Sequence, residues 1–212
     1  VCNGYQHNDS FPGSHPLAVG PLGYNGSKAA MELISKADVV LALGTRLNPF
    51  STLPGYGIDY WPKKATIIQV DMNPDRIGLT KKVSVGICGD AKQVAQQILD
   101  KLSSDAGNTG REERKNLIHK TKSAWLQTLS GLDHEEDDPG TVWNKEARER
   151  DKDRMSPRQA WRAIQDALPQ DAIISSDIGN NCAIGNAYPT FEKPRKYLAP
   201  GLFGPCGYGF PA

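Results

Sequence analysis

A helical pattern that runs straight into an uninterrupted apolar run constrains this 212-residue chain more than any other feature. Ser27 can cap a helix whose apolar residues Ala30, Leu33, Ile34 and Ala37 recur at helical spacing. Asp38-Val-Val-Leu-Ala-Leu43 follows at once and is closed by Gly44, which fits a strand buried on both faces of a parallel sheet. Thr66-Ile-Ile-Gln-Val-Asp71 repeats the strand signal before the turn residues Asn73-Pro74, and Lys82–Ile87 is a third, shorter strand closed by Gly89-Asp90. Ala91–Leu102 reads as an amphipathic helix with Val94, Ala95, Ile98, Leu99 and Leu102 on one face. Strands alternating with helices predict an α/β fold built on a doubly wound parallel sheet.

Composition shifts after residue 102. Ser103–Gly110 is small and polar, and Arg111–Leu129 can form a helix on Leu117, Ile118, Trp125 and Leu129. Asp133-His-Glu-Glu-Asp-Asp138 is acidic, and nine of the ten residues from Lys145 to Arg154 are charged, the mark of solvated surface. A second unit opens at Ser156-Pro157, an N-cap with Pro at the first helical position. Its helix carries Ala160, Ile164, Ala167 and Leu168 toward a core, and Asp171–Ser176 reads as a strand. That strand delivers Asp177-Ile-Gly-Asn-Asn181 to the carboxyl end of a parallel sheet, where α/β folds keep their ligands. The expected organisation is a central α/β unit over 1–102, a charged connector with helix over 103–154, and a second α/β unit over 155–212.

Twenty-five Lys and Arg nearly cancel twenty-four Asp and Glu, so the net charge of +1 lacks the basic excess that tracks a phosphate backbone or an anionic membrane. The longest apolar run, Val39 to Leu43, is too short to span a bilayer. Cys2, Cys88, Cys182 and Cys206 form no Cys-x-x-Cys pair, which points to reduced thiols and not to zinc or a disulfide framework. Val1–Ser10 shows neither a basic nor an apolar signal region, so a soluble cytoplasmic protein is the expectation. Val at position 1, and a closing Gly207-Tyr-Gly-Phe-Pro-Ala212 that reads as the approach to a further element, lead us to expect an internal piece of a longer polypeptide.

Individual motifs leave two readings open. Gly20-Pro-Leu-Gly23-Tyr-Asn-Gly26 precedes a helix and could offer N–H groups to a phosphate, or could serve tight helix–loop packing. Asp71 closes its strand as a ribose-binding acid does in a Rossmann fold, or caps the turn at Asn73-Pro74. Ala199–Pro211 holds four Gly and three Pro in thirteen residues, exposing backbone that can come close to a flat or anionic ligand. His7, His15, His119 and His134 share no spacing that builds a triad or metal cluster.

Taken in order, these segments resemble the thiamine diphosphate enzymes of the acetohydroxyacid synthase and pyruvate oxidase superfamily. Phe11-Pro-Gly-Ser-His-Pro16 with Gly20–Gly26, Ala37–Arg46, Ile67–Asp71 and Gly89-Asp90-Ala91 are similar to that family's central, Rossmann-like domain. Ser156-Pro157, Asp177–Asn181 and Gly204–Pro211 are similar to the start of its diphosphate-binding domain. Gly4–Asp9, Asn48–Trp61 and Leu198–Gly207 narrow the resemblance to the branch that converts sulfoacetaldehyde and phosphate to acetyl phosphate and sulfite in C2-sulfonate dissimilation.

The resemblance implies thiamine diphosphate and Mg²⁺ as cofactors. It places Gly179, Asn180 and Asn181 on the loop that binds the diphosphate, where neutral amide donors suit its oxygens. It makes Gly204 the carbonyl that accepts from the cofactor's 4′-amino group. Cys206 stands where the family has a larger apolar residue beneath the bent cofactor; Cys can serve there as a small hydrophobe. The family's activating Glu lies in an amino-terminal domain, and its Gly-Asp-Gly metal motif would lie past Ala212. No catalytic residue or metal ligand is therefore assigned. Because the family's site forms between two subunits, a homo-oligomer (dimer or tetramer) is implied, and the 212 residues alone are expected to be inactive.

Overall fold

A computed structural model describes residues 1–102, 109–133, 155, 157–200 and 203–210. The charged run 145–154, most of the acidic run that begins at Asp133, Ser156, Gly201 and Leu202 lie outside the described residues.

Ser27 caps α1 (Lys28–Ile34) by accepting from the Ala30 N–H, as its position predicts. The chain then enters β1 (Val39–Leu43), passes a single turn, α2 (Pro49–Thr52), and forms β2 (Thr66–Asp71). A 3₁₀ turn over Pro74–Arg76 leads to β3 (Val85–Cys88), and Asp90 caps α3 (Ala91–Lys101) by accepting from the Gln93 N–H. The three strands make a parallel sheet in the order β1-β2-β3, so the expected α/β class stands. Register pairs Leu41 with Ile68 and Ile68 with Val85, which puts alternate residues of all three strands on a shared face.

One face carries a closed core: Ala42, Ile67 and Leu47 are buried, with Val40, Trp61, Ala65 and Val83 packed around them. Gln69 is buried there at 1% exposure and fully engaged. Its Nε2 donates to the carbonyls of Thr45 and Arg76, and its Oε1 accepts from the Gly78 N–H. The other face departs from expectation. Val39, Leu41 and Leu43 are 57%, 43% and 40% exposed, so β1 is buried on one face only. It is the outer strand of the described sheet, and none of the described elements covers its second face. The apolar side of α3 is also incompletely used: Leu99 and Leu102 are exposed while Val94, Ala95 and Ile98 are half-buried.

A second core forms from Val19, Leu22, Ala30, Met31 and Tyr60. The long helix α4 (Arg111–Asp133) closes it by packing on α1, with Ile118 against this cluster and Trp125 edge-on to Tyr56 at 5.4 Å. The helix of 103–154 thus lies against the first unit.

The remaining chain builds α5 (Pro157–Ala167), β4 (Ile174–Ser175), α6 (Asn180–Ala187) and β5 (Tyr197–Leu198). Proline opens α5 as expected, but Ile164 and Ala167 face solvent. What α5 turns inward is Trp161, which fills the space above Gly185 of α6. A Cβ on Gly185 would stand 2.6 Å from the indole. The strand expected over Asp171–Ser176 shrinks to two residues paired in parallel with β5. No helix among the described residues is long and apolar enough to cross a membrane.

Candidate functional site

β4 ends at Ser175, and the next four residues turn the chain from the sheet edge into α6. Gly179 makes that turn at φ +97°, a conformation that costs a side-chain-bearing residue dearly, and its surroundings are open: a Cβ there would meet nothing within 4 Å. It stands at the N-cap of α6 without any side-chain cap, so the leading N–H groups of the helix keep their donor capacity. Asn181 is exposed on the first turn, and Asn180 begins the helix.

Asp177 joins this turn to the glycine-rich loop after β5. Its Oδ1 accepts from the Ile178 N–H at 2.9 Å, and its two carboxylate oxygens accept from the Gly207 N–H at 3.0 and 2.9 Å. Backbone donation from Gly207, then Ile178 and Tyr208, holds the Asp177 carboxyl below the usual carboxylate range. The two backbones run close together: a Cβ on Gly209 would lie 2.9 Å from the Asp177 nitrogen, and one on Gly204 would lie 3.2 Å from the Ile178 side chain. Gly204 and Gly207 both take positive φ, +51° and +89°. Gly179 and the first turn of α6 with Asn181, and the loop with Gly204 and Cys206, expected from two separate segments of sequence, therefore adjoin. Cys206 is a free, exposed thiol.

A polar seam holds this region against the amino-terminal loop. Asn3, Gln6, Asn8 and Asp9 are all buried. Gln6 donates through Nε2 to the Cys182 sulfur at 3.0 Å and to the Pro200 carbonyl at 3.2 Å. Asn8 donates to the Pro189 carbonyl, and Asp9 Oδ2 accepts from the N–H groups of Lys196 and Tyr197. Burial, with Cys182 alongside, pushes the Tyr5 phenol up to about 12. Gly4–Asp9 entered the sequence reading only through resemblance; its signal was a cluster of short polar side chains with no helical or strand period. The contacts of Asp177 with Gly207 leave no local signal, because they join residues thirty positions apart.

Both motifs with two readings take structural roles here. Around Gly20–Gly26 the Tyr24 N–H donates to the Phe50 carbonyl, Gly26 to Gly23 and Ser27 to Pro21. A Cβ on Gly23 would fall 1.8 Å from the Phe50 oxygen, so these glycines serve close backbone packing. Asp71 accepts from the Asn73 N–H at 2.8 Å and is a turn residue.

Residues 1–98 match the family model described as thiamine pyrophosphate enzyme, central domain. Across all 212 residues the chain is 80% identical to a probable sulfoacetaldehyde acetyltransferase of Rhizobium meliloti (strain 1021). It is 78% and 71% identical to the sulfoacetaldehyde acetyltransferases of Roseovarius nubinhibens and Rhodobacter capsulatus. It covers 36%, 35% and 36% of those three proteins, so the chain spans about a third of the length of the curated relatives it matches. Acetolactate synthase large subunits are more distant, 29% identical for the probable one of Methanocaldococcus jannaschii.

Proposed function

We propose that this chain works as part of a thiamine diphosphate-dependent sulfoacetaldehyde acetyltransferase, converting sulfoacetaldehyde and phosphate to acetyl phosphate and sulfite. The observation that carries the reading is 80% identity, along the whole chain, to a relative of that name. The resemblance extends the proposal to a wider role: breakdown of C2 sulfonates such as taurine, in the cytoplasm, by a homo-oligomer.

Local geometry supports the cofactor. The uncapped start of α6 and the open space at Gly179 suit a polyanion that must approach backbone closely. In this reading Gly179, Asn180 and Asn181 hold the diphosphate with neutral donors, which bind oxygen without adding charge. Gly204 accepts from the 4′-amino group, and Cys206 lies beneath the ring system as a small apolar support. When bound, thiamine diphosphate supplies a nucleophilic carbon and an electron sink, so that the C–S bond breaks, sulfite leaves and the acetyl group passes to phosphate. Mg²⁺ accompanies the diphosphate in this proposal, with ligands outside the residues named here. By the same reading, 1–102 is the central domain, 103–154 its connector and 155–212 the opening of the diphosphate-binding domain.

The test is product analysis of the full-length enzyme with sulfoacetaldehyde and with pyruvate. Phosphate-dependent sulfite release is the expected result. Carboligation of pyruvate without sulfite release would replace this reading with an acetolactate synthase activity. The 212-residue chain alone is expected to release no sulfite.

A further inference from the structure

The two loops assigned to the cofactor belong to different segments and follow the paired strands β4 and β5. Each is built around glycines at positive φ, which makes it easily deformed unless something external restrains it. Pairing of β4 with β5 brings the bases of the loops together, and one side chain ties them further out. Asp177 accepts from Ile178 at the start of one loop and, through both oxygens, from Gly207 in the other.

We propose that Asp177 is a positioning residue for the cofactor, its carboxylate tying the Gly179–Asn181 turn to the Gly204–Gly207 loop so that both present backbone to one ligand. This rests on the cofactor reading given above. A carboxylate so close to a diphosphate site would repel the ligand if it faced it. Here its oxygens are turned onto backbone N–H groups that offset the charge, so it can organise the loops without competing for the cofactor. Asp177 forms the hinge side of the tether and Gly207 its far side. A Cβ on Gly207 would meet nothing within 4 Å, so substitution there acts through φ +89° and not through a clash.

The experiment uses the full-length enzyme and titrates thiamine diphosphate with Mg²⁺, by calorimetry, into wild type, Asp177→Asn, Asp177→Glu and Gly207→Ala. Amide hydrogen exchange is followed over 176–182 and 203–210 in the cofactor-free proteins. Asp177→Asn keeps one acceptor but turns an NH2 group toward the Gly207 N–H. It is expected to weaken cofactor binding at least tenfold and to speed exchange over 203–210, with an unchanged melting temperature. Charge retention in Asp177→Glu is expected to restore part of the affinity, which a merely space-filling role would not predict. Gly207→Ala is expected to lose affinity from the other end of the tether, and it carries the test if Asp177→Asn does not fold. Wild-type affinity and unchanged exchange in the variants would overturn the tether while leaving the cofactor reading intact. Failure of the wild-type enzyme to bind thiamine diphosphate would remove the cofactor reading, and the proposal with it.

Discussion

The two halves of the molecule are held by opposite kinds of interaction. From Lys28 to Lys101 the chain relies on a three-stranded parallel sheet and apolar clusters, and its local patterns state the structure before any long-range contact forms. From Pro157 to Phe210 it has two strands of two residues each, and its position depends on buried polar side chains contributed from residues 3–9. Regular elements with a hydrophobic period tolerate single changes by repacking, whereas a buried acceptor that loses its side chain leaves N–H groups with no substitute. The region expected to hold the cofactor is thus the one whose geometry depends most on distant residues.

The largest effect that would break this contrast belongs to Gly23. Ala at this position would drive a Cβ into the Phe50 carbonyl at 1.8 Å and strain φ +88°, so we expect a loss of about 4 kcal/mol or more, or no fold at all. Urea denaturation followed by far-UV circular dichroism measures it; a loss under about 1 kcal/mol would mean that the glycine loop is looser than described. Next comes Asp9→Ala, which strands the N–H groups of Lys196 and Tyr197 and is expected to cost about 2 kcal/mol. The contrast sharpens if amide exchange rises over 189–200 while 66–71 stays protected. Equal exchange in both regions would show one cooperative unit.

A smaller, pH-dependent effect probes both halves at once. Burial raises the phenols of Tyr5 and Tyr60 to about 12, and it also pushes the Tyr197 phenol up. A group with a raised folded pKa contributes fully below its unfolded value, near 10, and that contribution fades as pH rises toward the folded value. Stability is therefore expected to be insensitive to tyrosine ionisation up to about pH 10 and to fall above it. Part of the phenolate absorbance in an alkaline titration should appear only with unfolding; titration of all the tyrosines near 10 in folded protein would contradict the burial. Least disturbing should be Leu41→Thr on the bare face of β1, where 43% exposure leaves little to lose in the isolated chain: about 0.5 kcal/mol or less. A much larger loss, read from the same denaturation curves, would show that this face is covered.

Much of the first half was legible in the residues. Ser27 as a cap, the strand run that ends at Leu43, the repeat at 66–71 and the helix that starts at Ala91 each follow from local rules, and each appears where expected. The reading erred where burial depends on a neighbour. Val39, Leu41 and Leu43 have the composition of a doubly buried strand, yet what packs over each face decides their exposure. Ile164 and Ala167 fail for the same reason, because a helical stripe says that a face is apolar and not what it meets.

By itself the sequence determined the class of fold, the element order and, through resemblance, the two segments that carry the candidate site. These are local properties: backbone propensity, capping and period are set within a few residues. Tertiary structure decided which of two readings held for Gly20–Gly26 and Asp71, where Gln6, Asn8 and Asp9 spend their hydrogen bonds, and that Asp177 joins two loops thirty residues apart in sequence. The physical reason is that a short polar side chain can satisfy itself in many ways. Only the close approach of two backbones across the fold selects the partner it takes.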